Sequence, residues 1–261
     1  MTSAESRQKL TSAESRQKTT SAESRQKLTS GGAARRPPLS LCSAHVAFTG
    51  RAEGDMGHGG DAVVRVCPDV AARRRAVVDL PWTWLRQVHG ADVVRVNGPG
   101  DAAGARADAA VTAEANCAVA VLTADCAPVA LASAEGVIGV AHAGWRGVTA
   151  GVIDATVGEM RALGATDIEA VVGPCIHAEC YAFGPEDLDR VAAHLGEDVR
   201  ATTTAGDRAL DLPAAVHGAL VGAGLDPAAI VDVDECTACS PRYFSWRARG
   251  EQQRQATVVW R

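Results

Sequence analysis

Three features of this sequence predict a mixed α+β layered fold. Four short apolar segments, 109–112, 118–123, 129–132 and 137–141, follow one another with only turns between them. Their length and bounding turn residues are those of buried strands. After Gly147 the apolar period lengthens: Val148, Val152, Thr156, Met160 and Leu163 recur at helical spacing, with Gly164 just past the end. That is an amphipathic helix with a glycine stop. The composition, 47% apolar and 22% charged, supplies a sizeable core and argues against global disorder. Several strands adjoin without an intervening helix, which disfavours a purely parallel doubly wound sheet.

The elements follow in order. Residues 2–28 are three tandem nine-residue units, TSAESRQKL, TSAESRQKT and TSAESRQKL, which hold the only lysines, Lys9, Lys18 and Lys27. These units lack the apolar face that a solenoid repeat needs, so residues 1–38 read as a disordered tail and linker. The folded body is expected over 39–261. A strand is predicted at 44–48, a glycine-bearing loop at 49–60, and a helix at 70–78 that keeps its arginines in water. Strands at 82–88 and 91–96 flank His89-Gly90, and 99–106 is a loop. Beyond the helix over 148–163 come a strand at 168–172 and a helix at 186–195, entered through Pro185 and ended by Gly196. A further helix spans 212–221 with Asp211 as its cap. Strands at 230–233 and 256–260 close the chain.

A net charge of -5 argues against a general nucleic-acid partner. No apolar run approaches the ~18 residues of a membrane span, and the N-terminus lacks a signal-peptide core. A cytoplasmic protein is expected, whose eight cysteines are thiols or metal ligands rather than disulfides. A monomer or small homo-oligomer is expected.

The chemistry-bearing residues sit at strand ends. Cys126 follows 118–123 through a short turn, His142 ends the next-but-one strand, and His89 precedes a glycine. If those strands are neighbours, their ends meet. One thiolate and two imidazoles suit zinc, and three protein ligands leave a position for water or substrate. The spacing alone leaves three readings open: a zinc site, a Cys/His nucleophilic pair, and buried bystanders. Cys175-x₄-Cys180 and Cys236-x₂-Cys239 offer the donors of a second, structural zinc site. Arg146, beside Trp145 at the mouth of the 148–163 helix, combines a guanidinium with a helix N-terminus, which suits an anion; the plainer reading is an ion pair that fixes the turn. Asp125 has three readings: a partner orienting a histidine, a general acid/base, or a turn residue. Trp145, Tyr181, Phe183 and Trp246 read as core or pocket wall.

Five blocks, RQVHGADV (86–93), TADCAPVAL (123–131), GVAHAGWRG (139–147), VGPCIHAECYAFG (172–184) and DECTACSPRYFSWRARG (234–250), resemble the YfiH/laccase-domain family. The resemblance runs from about Phe48 to Trp260 and excludes the repeats. It implies a single α/β/β/α layered domain with mixed sheets. It also implies a zinc-dependent purine nucleoside phosphorylase with adenosine deaminase activity, acting on adenosine, inosine, guanosine and methylthioadenosine, with inorganic phosphate as co-substrate. The family was long labelled multicopper polyphenol oxidase. Its zinc ligands fall here on His89, Cys126 and His142. The guanidinium and helix N-terminus at Arg146 suit phosphate as that anion; Arg51, which resembles the family's F-S-T-R segment, would add to the phosphate site, and Gln87 would contact a purine edge or ribose hydroxyl. The resemblance places Cys175 and Cys236 in motif loops without making them ligands. The chain departs from the family at 52–60, at Arg247-Ala-Arg249-Gly250 and at Gln253.

Competing readings are a copper phenol oxidase, a metal-free Cys126/His142 hydrolase and a non-catalytic binding protein. The oxidase needs many histidines, whereas the chain has seven and no His-x-His pair.

Overall fold

The computed structural model describes residues 38–57 and 68–261. The repeats of the tail therefore lie outside the described residues, as does the end of the 49–60 loop. The rest is built on two sheets. One has β1 (Leu39–Leu41), β2 (Ala44–Phe48), β3 (Trp82–Trp84), β6 (Ala118–Thr123) and β13 (Gln255–Trp260), in the order β1-β2-β13-β6-β3. The other has β4 (Val93–Arg95), β5 (Ala109–Thr112), β7 (Ala127–Ser133), β8 (Ile138–Ala143), β9 (Ile168–Val172) and β12 (Ile230–Asp232), in the order β12-β9-β7-β8-β5-β4. Both sheets are mixed: β3 pairs parallel with β6, and β4 with β5, while β13/β6, β7/β8, β5/β8 and β7/β9 are antiparallel.

The uninterrupted apolar runs have a simple cause: their strands are covered on both faces. In β6, Val119 and Val121 enter a core between the sheets with Val46, Phe48, Ala130, Val140 and Val259. Ala118, Ala120 and Leu122 point the other way, into a cluster with Trp82 and Met56. Val77 and Val78, at the end of helix α1 (Pro68–Val77), pack on that cluster. In β7, Val129 and Leu131 face a second large cluster with Val148, Val152, Val157, Leu188, Val216 and Leu220. These come from helices α2 (Trp145–Thr149), α3 (Val152–Ala162), α4 (Pro185–Leu195) and α5 (Leu212–Gly222). The architecture is thus helix, sheet, sheet, helices. A small hairpin, β10 (Arg200–Thr202) with β11 (Arg208–Leu210), and a final helix, α6 (Trp246–Arg249), complete it.

Three expectations need correction. The helix over 148–163 is two helices, because Gly151 turns the backbone at φ 88 between α2 and α3. The strand over 82–88 stops at Trp84, and the chain beyond it leaves the sheet toward Asp108. The arginines of α1 are not all in water: Arg74 is 5% exposed. Its guanidinium lies over the rings of Trp82 (5.6 Å) and Trp84 (5.4 Å) and donates to the Met56 carbonyl. Burial pulls it down to about 10. A charged run on a weakly apolar helix reads as solvated, whereas the two indoles of β3 and the Met56 carbonyl receive this guanidinium in the interior.

Arg74→Ala removes both ring contacts and the donor to Met56. It is expected to lower the unfolding free energy by about 2–4 kcal/mol. Urea denaturation checks this; a change within experimental error would show that the stack contributes nothing.

Candidate metal centre and active site

Three strand termini of the six-stranded sheet meet at one edge. Pro128 of β7 pairs with His142 of β8, so Cys126, two residues earlier, stands beside the end of β8. Ala109 of β5 pairs with Ala141, and the His142 N–H donates to the Asp108 carbonyl at 2.7 Å. The expected neighbour of the His142 strand, 118–123, lies instead in the other sheet; β7 is what brings Cys126 to His142. His89 arrives from the connection between β3 and β4.

The side chain that gathers these pieces is Asp108, a residue the motifs do not single out. It is fully buried. Its carboxylate accepts the backbone N–H groups of Val88, His89 and Gly90 at 2.8–3.2 Å, and His142 Nδ1 at 2.8 Å. Successive N–H groups converging on one anion form a nest, which explains the left-handed φ of 59 at His89. Burial alone would raise the Asp108 carboxyl, but the bonds from His142, Gly90 and Val88 outweigh it and hold it below its ordinary value. With Nδ1 engaged, His142 keeps Nε2 for the site. The available signal in the sequence was an acid directly before a short strand that buries every residue.

One donor atom from each of His89, Cys126 and His142 lies within 4.8 Å of the others. Cys126 Sγ is 3.8 Å from His89 Nε2, and the two imidazoles stand edge to face with centroids 4.8 Å apart. His142 is buried, Cys126 half-buried and His89 exposed, so the group opens outward. Gly144 lines the approach: a Cβ there would lie 2.9 Å from Cys126 Sγ and 3.0 Å from the His89 ring. Two nitrogens and one sulfur form a donor set that transition metals accept. Burial would raise the Cys126 thiol, yet His142 and His89 bring it down to about 6. Burial would lower His142, yet Cys126 and Asp108 lift it to about 9.

The other predicted residues are placed as follows. Asp125 does not touch a histidine. One of its oxygens accepts from Thr237 Oγ1 at 2.7 Å and the other from the Arg247 N–H at 2.6 Å, so it clamps the 234–250 segment to the site. Its φ of 102 shows the strain of that position. Gln87 directs its amide at the backbone of Leu122, donating at 2.7 Å and accepting at 2.8 Å, which ties the His89 segment to β6. Arg51 forks onto Glu251 and lies 4.8 Å over the Phe244 ring. Arg146 is exposed in α2, 4.4 Å over its own neighbour Trp145, with no ion pair among the described residues. Trp145, Phe183 and Tyr181 stack edge to face in series, and Arg247 lies 4.7 Å over Tyr181. Burial raises the Tyr181 phenol, Cys126 adds to that, and Arg247 and Arg146 oppose it, so all of these groups act on one wall.

Two outcomes follow. Asp108→Asn removes the charge that holds His142 and the nest; affinity for a divalent ion, read by competition with a chromogenic chelator, is expected to fall about 10–100-fold. The metal-stripped protein should also show an acidic thiol. The depressed Cys126 stabilises the fold fully above its ordinary 9.0 and loses that contribution as pH falls through about 6. The raised His142 contributes below its ordinary 6.5 and loses its share as pH rises through about 9. The ion pair therefore spans about pH 6 to 9. Alkylation of Cys126 by iodoacetamide should rise with a midpoint near pH 6. A midpoint near 9 would rule out the pair.

Comparison with known proteins agrees with this fold. Over 196 residues the chain is 42% identical to a purine nucleoside phosphorylase of Streptomyces coelicolor, covering 74% of this chain and 80% of that one. It is 36% identical over 150 residues to the adenosine deaminase RL5 of an unknown prokaryotic organism, covering 55% and 57%. The crystal structure of YlmD from Geobacillus stearothermophilus superposes with a TM-score of 0.70 at 30% identity, covering 84% of this chain and 91% of that one. Residues 55–261, which include both histidines, the cysteine and Asp108, match the family described as multi-copper polyphenol oxidoreductase laccase, and the chain belongs to that family.

Proposed function

We propose that the protein is a zinc-dependent purine nucleoside phosphorylase that also deaminates adenosine. The observation that carries this reading is the convergence of His89, Cys126 and His142, with the ring series that starts at Trp145 and an Arg146 that has no ion pair among the described residues following three and four residues after His142. The names of the relatives supply the two reactions. The donor set fits zinc: a thiolate and two neutral imidazoles, one of them oriented by a carboxylate. Held there, the ion would supply a Lewis acid and lower the pKa of a water ligand to about 7.

In phosphorolysis a phosphate oxygen bonds to the ribose anomeric carbon as the bond to the purine nitrogen breaks. The base leaves with the electron pair and takes up a proton. Arg146 would hold the phosphate, since its guanidinium has no competing acid among the described residues. Arg51 would contribute only by exchanging Glu251 for the phosphate. The Trp145, Phe183 and Tyr181 wall would cover the apolar faces of the nucleoside and keep water out. In deamination, water adds at the purine C6 carbon and ammonia leaves. Asp125 enters as the clamp on Thr237 and Arg247, because both its oxygens already accept hydrogen bonds. Gln87 enters as the brace between His89 and β6 rather than as a purine contact.

One observation favours a second reading. The acidic Cys126 beside His142, itself hydrogen-bonded to Asp108, is also the arrangement of a cysteine nucleophile. Chelation separates the two, since a metal-free hydrolase keeps its activity. A copper oxidase has less behind it: only two of the seven histidines lie in the group.

The decisive assay mixes zinc-loaded protein with adenosine, with and without phosphate, and separates the products. Adenine is expected only with phosphate, and inosine in both mixtures. Cys126→Ala should abolish both products. Failure to form adenine, inosine or hypoxanthine under any condition would end this reading.

A further inference from the structure

A second cluster of ligands lies outside the site described above. Glu179, Cys180, Cys236 and Cys239 each place one donor atom within 4.8 Å of the others. The first two lie in the short 3-10 turn Ala178–Cys180, and the others lie 56 or more residues further on, in the loop that follows β12. Cys180 Sγ is 3.1 Å from Cys239 Sγ, and Cys239 Sγ is 3.6 Å from Glu179 Oε1. The His177 N–H points at Cys236 Sγ at 3.4 Å, and His177 Nδ1 stands 3.9 Å behind Glu179. We propose that Cys180, Cys236, Cys239 and Glu179 bind a structural zinc ion, or another thiophilic divalent ion, that cross-links these two segments.

Three sulfurs and one carboxylate oxygen, all zinc donors, fill four tetrahedral positions, and a protein-filled shell marks a closed structural site rather than a catalytic one. The 3.1 Å sulfur separation is a contact and not a bond, which would be about 2.05 Å. With bonds of about 2.3 Å to a common ion, the two sulfurs would stand about 3.8 Å apart. That needs only a small movement of Cys239, which is exposed. The His177 N–H supplies the donor that a buried thiolate on a metal needs. A divalent cation displaces the thiol protons and draws the three sulfurs and the carboxylate to one centre.

Cys175 is not a member. Its thiol is buried, and its backbone is what reaches the loop, accepting from the Thr237 N–H and donating to the Glu235 carbonyl. The cluster therefore draws on both cysteine pairs that the sequence offered but rejects one cysteine. The cross-link would fix two walls of the candidate active site. Tyr181 directly follows Cys180, and Thr237, which donates to Asp125, directly follows Cys236. The inference stands apart from the catalytic reading, because it concerns a different set of residues and a different readout.

The test is metal content of the full chain, purified under reducing conditions, loaded with zinc and freed of excess. Cys126→Ala disables the candidate active-site group and should still carry one zinc per chain. Adding Cys239→Ser should remove it, whereas adding Cys175→Ser should not. Cobalt(II) added to metal-free Cys126→Ala should give a thiolate charge-transfer band, which needs no second substitution and so does not depend on the folding of the double variant. No zinc and no such band in Cys126→Ala would overturn the proposal. So would a Cys180–Cys239 disulfide that forms in the presence of zinc and excludes the ion, as thiol counting would show. Wild-type protein that carries this zinc yet turns over no adenosine would count against the catalytic reading alone.

Discussion

The arrangement depends most heavily on the buried carboxylate of Asp108. An anion with no exposure is tolerable only if its lone pairs are filled, and here three consecutive backbone N–H groups and one imidazole fill them. That single requirement does two things at once. It folds the 88–90 segment into a nest that aims His89, and it fixes which nitrogen of His142 is free. Removing the charge would weaken the hold on several donors in a fully buried place.

Around that carboxylate, the site is assembled from chain segments far apart in sequence, and each has its own tether. Gln87 ties the His89 segment to β6 through the Leu122 backbone. Asp125 ties the C-terminal loop to the turn that carries Cys126. Glu251 gathers Arg51, Arg249 and the Ser245 N–H, and these bonds bring its carboxyl down to about 2. These polar side chains hold loops rather than face solvent. Three of the residues singled out for chemistry from their types and motifs, Asp125, Gln87 and Arg51, spend their hydrogen bonds on scaffolding. Arg146 does not: among the described residues it forms no ion pair and lies over the Trp145 ring.

The same logic extends to the second cysteine cluster. Turn 178–180 and the loop at 234–240 bring Cys180, Cys236 and Ala238 onto the same core. A metal cross-link would tie the two segments together next to Tyr181 and Thr237. Two ions with different duties, one open and one closed, would then stabilise opposite sides of a single wall.

How much of this was legible beforehand follows from the range of the interactions involved. Strands such as 118–123 and 168–172, and the capped helix after Asp211, were readable because periodicity, β-branching and a cap act within a few residues. The trio of His89, Cys126 and His142 was readable as a set of residue types, and its blocks were recognisable as motifs. Their convergence was expected as well, but it is achieved differently: it rests on β7, and not the strand at 118–123, pairing with β8. Asp108 carried only a weak signal, an acid directly before a strand, and its role emerges only when three distant N–H groups close on it. Arg74 misled for the same reason, since its partners Trp82 and Trp84 sit on another element. The sequence by itself determined the layered α+β class, most elements and the chemical inventory of the site. Only the tertiary structure decided which polar groups are spent on the scaffold and which remain free, because satisfying a buried charge is a question of what lies opposite it in space.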